Sequence, residues 1–291
     1  MILVTGATGF IGRSVMKALA EREMPAKPYT GRINDPHALR AQLSDVDTVI
    51  HLAGAESKGR ARALQHVDVE GSARLLEECR HAQVRRLLVV SRLNADADSM
   101  HPLLRAKGEQ EDLVRRSDLP YTIIRSATLF GRHDRFLNNI VGLAQWSWPL
   151  IWLPGGGKVI MQPLWVEDLV RCLLLTLARY DLVGRTISLG GEEQMRYADI
   201  VQAALESAAI SGILFKPHPL LVRPLTGILF SWWRHPPVSR FWMDRFTTPD
   251  ITDLDSVRFH FGFHPHRLRH NIAYLRRPDL RWQLIGLRRP A

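Results

Sequence analysis

Three glycines, Gly6, Gly9 and Gly12, stand at intervals of three behind the short apolar run Ile2-Leu3-Val4. That spacing suits the cradling of a dinucleotide pyrophosphate. A glycine turns where a side chain would clash, and it lets backbone amides approach phosphate oxygens. With a strand before it and a helix after it, the loop Thr5, Gly6, Thr8, Gly9, Phe10, Ile11 and Gly12 becomes the expected cofactor cradle. The unpaired N–H groups and dipole of the helix would then favour the phosphates. The same three glycines also fit a tight structural turn.

About 20 residues past such a loop, an acid commonly holds the ribose of NAD. Here the stretch reads Tyr29-Thr-Gly-Arg32, with no Asp or Glu. Arg32 offers a planar fork for a 2′-phosphate, so NADP is expected ahead of NAD, against the plain reading of an exposed arginine. From Gly12 to Asp47 there is room for one clear strand plus a loop. Arg32 therefore falls either after that strand or beside the adenine.

The elements that must position these residues follow from hydrophobic pattern. Strand-like runs cover 2–4, 48–53, 87–91, 121–125 and 186–189, and helix-like segments cover 12–22, 66–81, 104–116 and 166–180. Strands alternating with helices imply βαβ units and an α/β, doubly wound parallel sheet. The strands are nearly all apolar, as a sheet covered on both faces requires. After Gly190-Gly191 the pattern changes, and residues 206–250 carry Pro217, Pro219, Pro224, Pro236, Pro237 and Pro249 among Trp232, Trp233 and Trp242. Proline at that density breaks helices into short pieces. The expected division is a dinucleotide-binding domain at 1–191 and a smaller, mostly helical C-terminal lobe at 192–291 with a basic tail.

Thr5-Gly6-x-x-Gly9-x-x-Gly12 resembles the signature of the extended and atypical short-chain dehydrogenases/reductases. Further blocks resemble that superfamily in the same order. They are Asp47-Thr-Val-Ile-His-Leu-Ala-Gly54, Val69-Glu-Gly-Ser-Ala-Arg-Leu-Leu76, Arg86-Arg-Leu-Leu-Val-Val-Ser91, residues 121–131, residues 162–169 and Ile187-Ser-Leu-Gly-Gly191. The resemblance covers about residues 1–191, and it places Leu52, Ala53 and Gly54 in a turn beside the cofactor. Leu104-Arg-Ala-Lys-Gly-Glu109 and residues 130–139 are most similar to one branch, that of the nicotinamide-nucleotide-binding accessory subunit of respiratory complex I and its bacterial relatives.

Active members of the superfamily use Tyr-x-x-x-Lys, with the tyrosine as general acid/base, the lysine on the ribose and an upstream Ser or Thr orienting the substrate. By this resemblance Lys107 holds the ribose and Ser91 takes the substrate-orienting place. The register Leu103-Leu-Arg-Ala-Lys107 sets a leucine where the tyrosine would stand. A leucine has neither a proton to give nor a lone pair to accept one. His101 lies two residues earlier, a rotation of about 200° if the helix already runs there. Tyr121 follows the helix, at the start of a strand, and reads as core.

Several readings stay open. The first is a nicotinamide-dinucleotide holder with a structural, sensory or assembly role at a membrane-associated redox complex, which the resemblance implies. The second is an active NADP-dependent oxidoreductase or epimerase with another proton donor. The third is an interaction module that keeps only the fold. Net charge is +10, and from Arg258 to Ala291 eight arginines and four histidines face one acid, Asp279. Such a tail suits an anionic membrane surface or an acidic partner, or simply a solvated basic surface. Leu225-Thr-Gly-Ile-Leu-Phe-Ser-Trp-Trp-Arg234 is compatible with a membrane interface and equally with a packed lid. No recognition helix or basic strand interleaved with aromatics points to nucleic acid.

The two cysteines, Cys79 and Cys172, form no disulfide framework, which fits a reducing compartment. The N-terminus has no secretory pattern, and no apolar run is long enough to span a bilayer. The expected place is the cytoplasm, either free or peripheral at the inner face of the membrane. His264 and His266 lack an accompanying acid or cysteine in Phe259-His-Phe-Gly-Phe-His-Pro-His266, so no metal is expected there.

Overall fold

The computed structural model describes residues 1–217, 241, 244, 246–276 and 280. The tryptophan segment Leu225–Arg234, with Trp242 and most of the basic tail beyond Arg276, lies outside the described residues. The chain forms two compact units. Met1–Glu56, Arg60–Ser126 and Val166–Leu189 make the first, while Ser57–Gly59, Ala127–Trp165 and the described residues from Gly190 onward make the second. Pattern alone drew the division at residue 191, but residues 127–165 pack with the C-terminal residues instead.

In the first unit, β1 (Ile2–Thr5), β2 (Ala26–Pro28), β3 (Thr48–His51), β4 (Arg86–Arg92) and β5 (Tyr121–Ser126) join the strand Arg185–Leu189 in one sheet. The order is β2-β1-β3-β4-β5 with Arg185–Leu189 at the far edge, and every pairing is parallel. Every residue of β1 is buried, which accounts for its run of apolar side chains. The chain leaves β1 toward β2 on one side and returns to β3 on the other. Ligands of open α/β sheets bind at such a switch point, beyond the carboxyl ends of the strands.

Helix α1 (Phe10–Glu21) buries Val15, Ala18 and Leu19 at helical spacing. The stretch read as a strand plus a loop also holds a helix, α2 (Pro36–Leu43). Asp35 caps it, accepting from His37 N at 3.1 Å and Ala38 N at 3.2 Å, and Pro36 takes the first helical position. Only Leu39 and Leu43 of α2 are buried, too few to mark a period. Next, α3 (Ala61–Leu64) runs through a π-helical stretch, Gln65–Glu70, into α4 (Gly71–His81), so this helical run starts earlier than residue 66. Helix α5 (Pro102–Arg115) again begins on proline.

One layer of this core packs Leu39, Leu75, Cys79 and Val114 against Leu3, Val49, Leu87 and Ile123 of the sheet. Each leucine, valine or isoleucine among them contributes about 1.5–3 kcal/mol relative to exposure. The second unit has its own core, with Leu137, Ile140 and Val141 of the helix Leu137–Trp146 against Tyr197, Ile200 and Ala204 of the helix Tyr197–Ser207. Buried Asp134 starts the first of these helices. Its carboxylate accepts from Gly131 N at 2.8 Å, Leu137 N at 2.7 Å and Tyr274 Oη at 2.6 Å. Among the described residues no helix is long and apolar enough to cross a membrane.

Candidate functional site

Between β1 and α1 only residues 6–9 make the turn. Gly6 has φ +67°, and a Cβ there would fall 2.7 Å from Ala53 N and Leu52 C. A Cβ on Gly12 would fall 2.2 Å from Gly6 O and 2.6 Å from Ala7 Cα. Packing inside the protein therefore accounts for both glycines.

Gly9 differs. Its φ of −74° and ψ of 179° suit any residue. An added Cβ would meet only Gly6 O, at 3.1 Å. Gly9 is the N-cap of α1, no side chain caps that helix, and its first turn carries no acid. Packing therefore leaves room for a small side chain at Gly9, and α1 opens beside it with first-turn amides that no side chain caps. Thr8 is exposed at the mouth of the turn.

Beside this loop lies a buried polar network that the sequence did not announce. Ser72 Oγ has one proton and gives it to Asp68 O at 2.6 Å. It must therefore accept from Gln110 Nε2 at 2.7 Å and from His51 Nε2 at 2.9 Å. This hydrogen-bond inventory assigns the Nε2–H tautomer to His51 and leaves Nδ1 to accept from Thr5 Oγ1 at 2.7 Å. Thr5 Oγ1 in turn accepts from Leu52 N at 3.2 Å and Ala53 N at 3.4 Å. Burial, and then the charge of Lys107, push the His51 imidazole down from 6.5 to about 3, so it is neutral at physiological pH.

Lys107, on α5, closes the network. Its Nζ lies 2.8 Å from Asp68 Oδ1 and donates to Gln110 Oε1 at 2.9 Å. Asp68 Oδ2 accepts from Ala55 N at 2.8 Å. A Cβ on Gly54 would come 3.1 Å from Asp68 Oδ1 and 3.6 Å from Lys107 Nζ. Gly54 thus lets the ion pair lie against the turn after β3, the same turn that Gly6 touches. The structure gathers Gly6, Leu52, Ala53, Gly54 and Lys107 at the β1/β3 switch point.

Leu103 is buried one helical turn before Lys107, on the same face of α5. His101 is the N-cap of α5, with extended backbone at φ −85° and ψ 115°, so the 200° helical rotation does not apply to it. Ser91, at the end of β4, donates to Glu111 Oε1 at 2.6 Å. The Glu111 carboxylate also pairs with Arg125 and Arg115, each at 2.6 Å. With its proton committed, Ser91 can meet a ligand only as an acceptor.

Arg32 follows β2 by four residues and is exposed. The loop that carries it is pinned. Tyr29 Oη donates to Arg32 O at 2.9 Å, and Thr30 N donates to Gln42 Oε1 of α2 at 2.9 Å. Asp68, Ser72 and Gln110 escaped sequence reasoning because a π-helical stretch turns the first inward and two different helices supply the others. The one local signal was the three-residue spacing of Lys107 and Gln110, which puts them on one helix face.

A family model described as NAD(P)H-binding matches residues 24–136. The chain is 28% identical over 287 residues to the NADH dehydrogenase [ubiquinone] 1 alpha subcomplex subunit 9 of Mus musculus, with 87% of this chain and 74% of that protein covered. It is 25% identical to the photosystem II assembly factor Ycf39 of Guillardia theta, with 94% of this chain and 92% of that protein covered. It is 30% identical to the ceramide reductase of Caulobacter vibrioides, with 58% of each covered. Among solved structures, MoeE5 in complex with UDP-glucuronic acid and NAD superimposes with a TM-score of 0.73 at 19% identity, over 97% of this chain and 98% of that one. With the glycine loop at the β1/β3 switch point of a parallel sheet, these likenesses agree on an NAD(P)-binding Rossmann fold, and they support the atypical short-chain dehydrogenase/reductase superfamily.

Proposed function

We propose that this protein holds NADP(H) as a structural, sensory or assembly element of a membrane-associated redox complex, and that it lacks the tyrosine-driven turnover of its active relatives. The observation that carries the reading is Leu103, buried on the Lys107 face of α5 where a proton donor would be needed. Gly9 and the first turn of α1 would receive the pyrophosphate, Lys107 a ribose hydroxyl and Arg32 a 2′-phosphate. A bound nicotinamide supplies hydride chemistry, and on this reading that capacity goes unused for want of the acid. The relatives named as a complex I subunit and a photosystem II assembly factor support a place beside a membrane complex.

The test is calorimetric titration of the purified chain with NADPH and with NADH, followed by multiple-turnover assays. Saturable NADPH binding without turnover is expected, and Arg32→Ala should weaken NADPH by about tenfold while leaving NADH unchanged, one charge-assisted bidentate contact being lost. No affinity for either nucleotide would refute the reading. Equal effects of Arg32→Ala on both nucleotides would remove the NADP preference alone.

A second reading is an active NADP-dependent oxidoreductase or epimerase with a non-standard proton donor. The likeness to a ceramide reductase, and the retention of Lys107 and Ser91, favour it. NADPH consumption with a long-chain ketone that falls in Lys107→Ala and Ser91→Ala would establish it and displace the first reading.

A further inference from the structure

The second unit carries an apolar surface that the dinucleotide site does not use. Trp146 closes the helix Leu137–Trp146 at 66% exposure, and Trp148 follows at 69%. The chain then enters the strand Leu150–Trp152, which pairs in parallel with Ile213–Phe215, Leu150 opposite Ile213 and Trp152 opposite Phe215. Side chains alternate along a strand. Ile151 turns inward and is buried, whereas Leu150 and Trp152 turn outward.

The register brings Ile213 and Phe215 to that same outer face, where the Trp152 and Phe215 rings meet edge to face with centroids 5.2 Å apart. Trp148 Nε1 donates to Ser211 O at 3.2 Å, which holds the indole against the approach to the second strand. Two segments 63 residues apart in sequence thus build one contiguous aromatic and aliphatic patch. Exposed apolar patches of this kind mark interaction sites.

Charge decides which occupant fits. Neither residues 137–165 nor residues 207–217 contain an Asp or Glu, while Lys158 and Lys216 flank the two strands. Both lysines are exposed, and the Gly155 N to Pro217 O hydrogen bond at 3.2 Å ties their loops together. Glu206, the acid that precedes the second segment, is already paired with Arg269 at 3.0 Å. Tryptophan suits the headgroup boundary of a bilayer, the aliphatic side chains suit the layer below it, and lysine meets lipid phosphate. The whole chain carries +10, the complement of an anionic leaflet.

We propose that this two-stranded face docks on an anionic phospholipid bilayer. The inference deepens the proposed placement beside a membrane, yet it is read from the second unit alone, and dinucleotide binding stands or falls separately.

The test is flotation of the full chain with phosphatidylcholine vesicles, with and without phosphatidylglycerol. Phosphatidylglycerol should strengthen binding by about tenfold or more, since each lysine near a charged surface adds attraction. The double variant Trp152→Glu, Ile213→Glu should lose vesicle binding by at least about tenfold, because two charges would have to enter the apolar layer. NADPH affinity, measured alongside, reports that the variant is folded and should not change. If it changes, Trp148→Ala takes the place of the double variant, with the same loss expected.

Absent flotation, flotation indifferent to phosphatidylglycerol, or equal flotation of wild type and variant overturns the proposal. So does concentration-dependent self-association that the variant abolishes, which would make a second copy the occupant. Flotation that persists in a chain unable to bind NADPH supports the proposal and refutes the dinucleotide reading instead.

Discussion

Replacing Gly9 and Gly12 by alanine, one at a time, separates a glycine kept for packing from one kept for a ligand. At Gly12 the new methyl would stand 2.2 Å from Gly6 O and 2.6 Å from Ala7 Cα, both backbone atoms, where ordinary contact begins near 3.4 Å. The loop or the helix must move by about 1 Å, an overpacking cost of about 1–3 kcal/mol. Alanine returns only about 1 kcal/mol of that through helix propensity. At Gly9 the methyl meets only Gly6 O, at 3.1 Å, a matter of tenths of an ångström, on backbone that alanine adopts freely. Its main stability cost is the poorer N-cap, at most about 1 kcal/mol.

Thermal unfolding should therefore fall by several degrees for Gly12→Ala and by little for Gly9→Ala, at about 2–4 °C per kcal/mol for a chain of this class. NADPH affinity should behave the other way round, because the Gly9 methyl occupies the approach to the first-turn amides of α1. Calorimetry should show at least about a tenfold loss for Gly9→Ala, equivalent to about 1.4 kcal/mol. A folded Gly9→Ala protein with unchanged affinity for NADPH and NADH would refute the reasoning. The turn would then be structural throughout.

The buried ion pair and the buried imidazole give two more expectations. Asp68→Ala leaves the Lys107 ammonium buried without its carboxylate, and the urea midpoint should fall by the equivalent of about 3–5 kcal/mol. The paired replacement Asp68→Leu with Lys107→Met should cost less than either single change. Unfolded chains protonate His51 near 6.5 and the folded protein only near 3, so the unfolded state takes up the proton first and stability is lost as pH falls through that window. Between pH 7 and pH 5 the loss is about 2 kcal/mol, measurable by urea titration, and His51→Gln should flatten the slope.

Much of this protein is legible in order along the chain. Apolar runs announce the sheet because each strand is covered on both faces, and the threefold glycine spacing announces the loop because one strand, one turn and one helix are contiguous there. Helix α2 was hidden by having only Leu39 and Leu43 to bury, although Asp35-Pro36 marked its start. The boundary at 191 misplaced residues 127–165, because nothing local says which core a segment will join.

By itself the sequence determined the likeness to NAD(P)-binding Rossmann proteins, the parallel sheet, the position of the glycine loop and the leucine at residue 103. These rest on residue type and short spacing, which the chain carries wherever it goes. Only the tertiary structure decided that Gly6 and Gly12 are spoken for by neighbouring backbone while Gly9 is not. It also decided that Lys107 meets Asp68, that His51 is held neutral, and that Trp152 and Phe215 share one face. Each depends on atoms far apart in sequence, and neither a pairing register nor the local dielectric can be read from residues before the chain has folded.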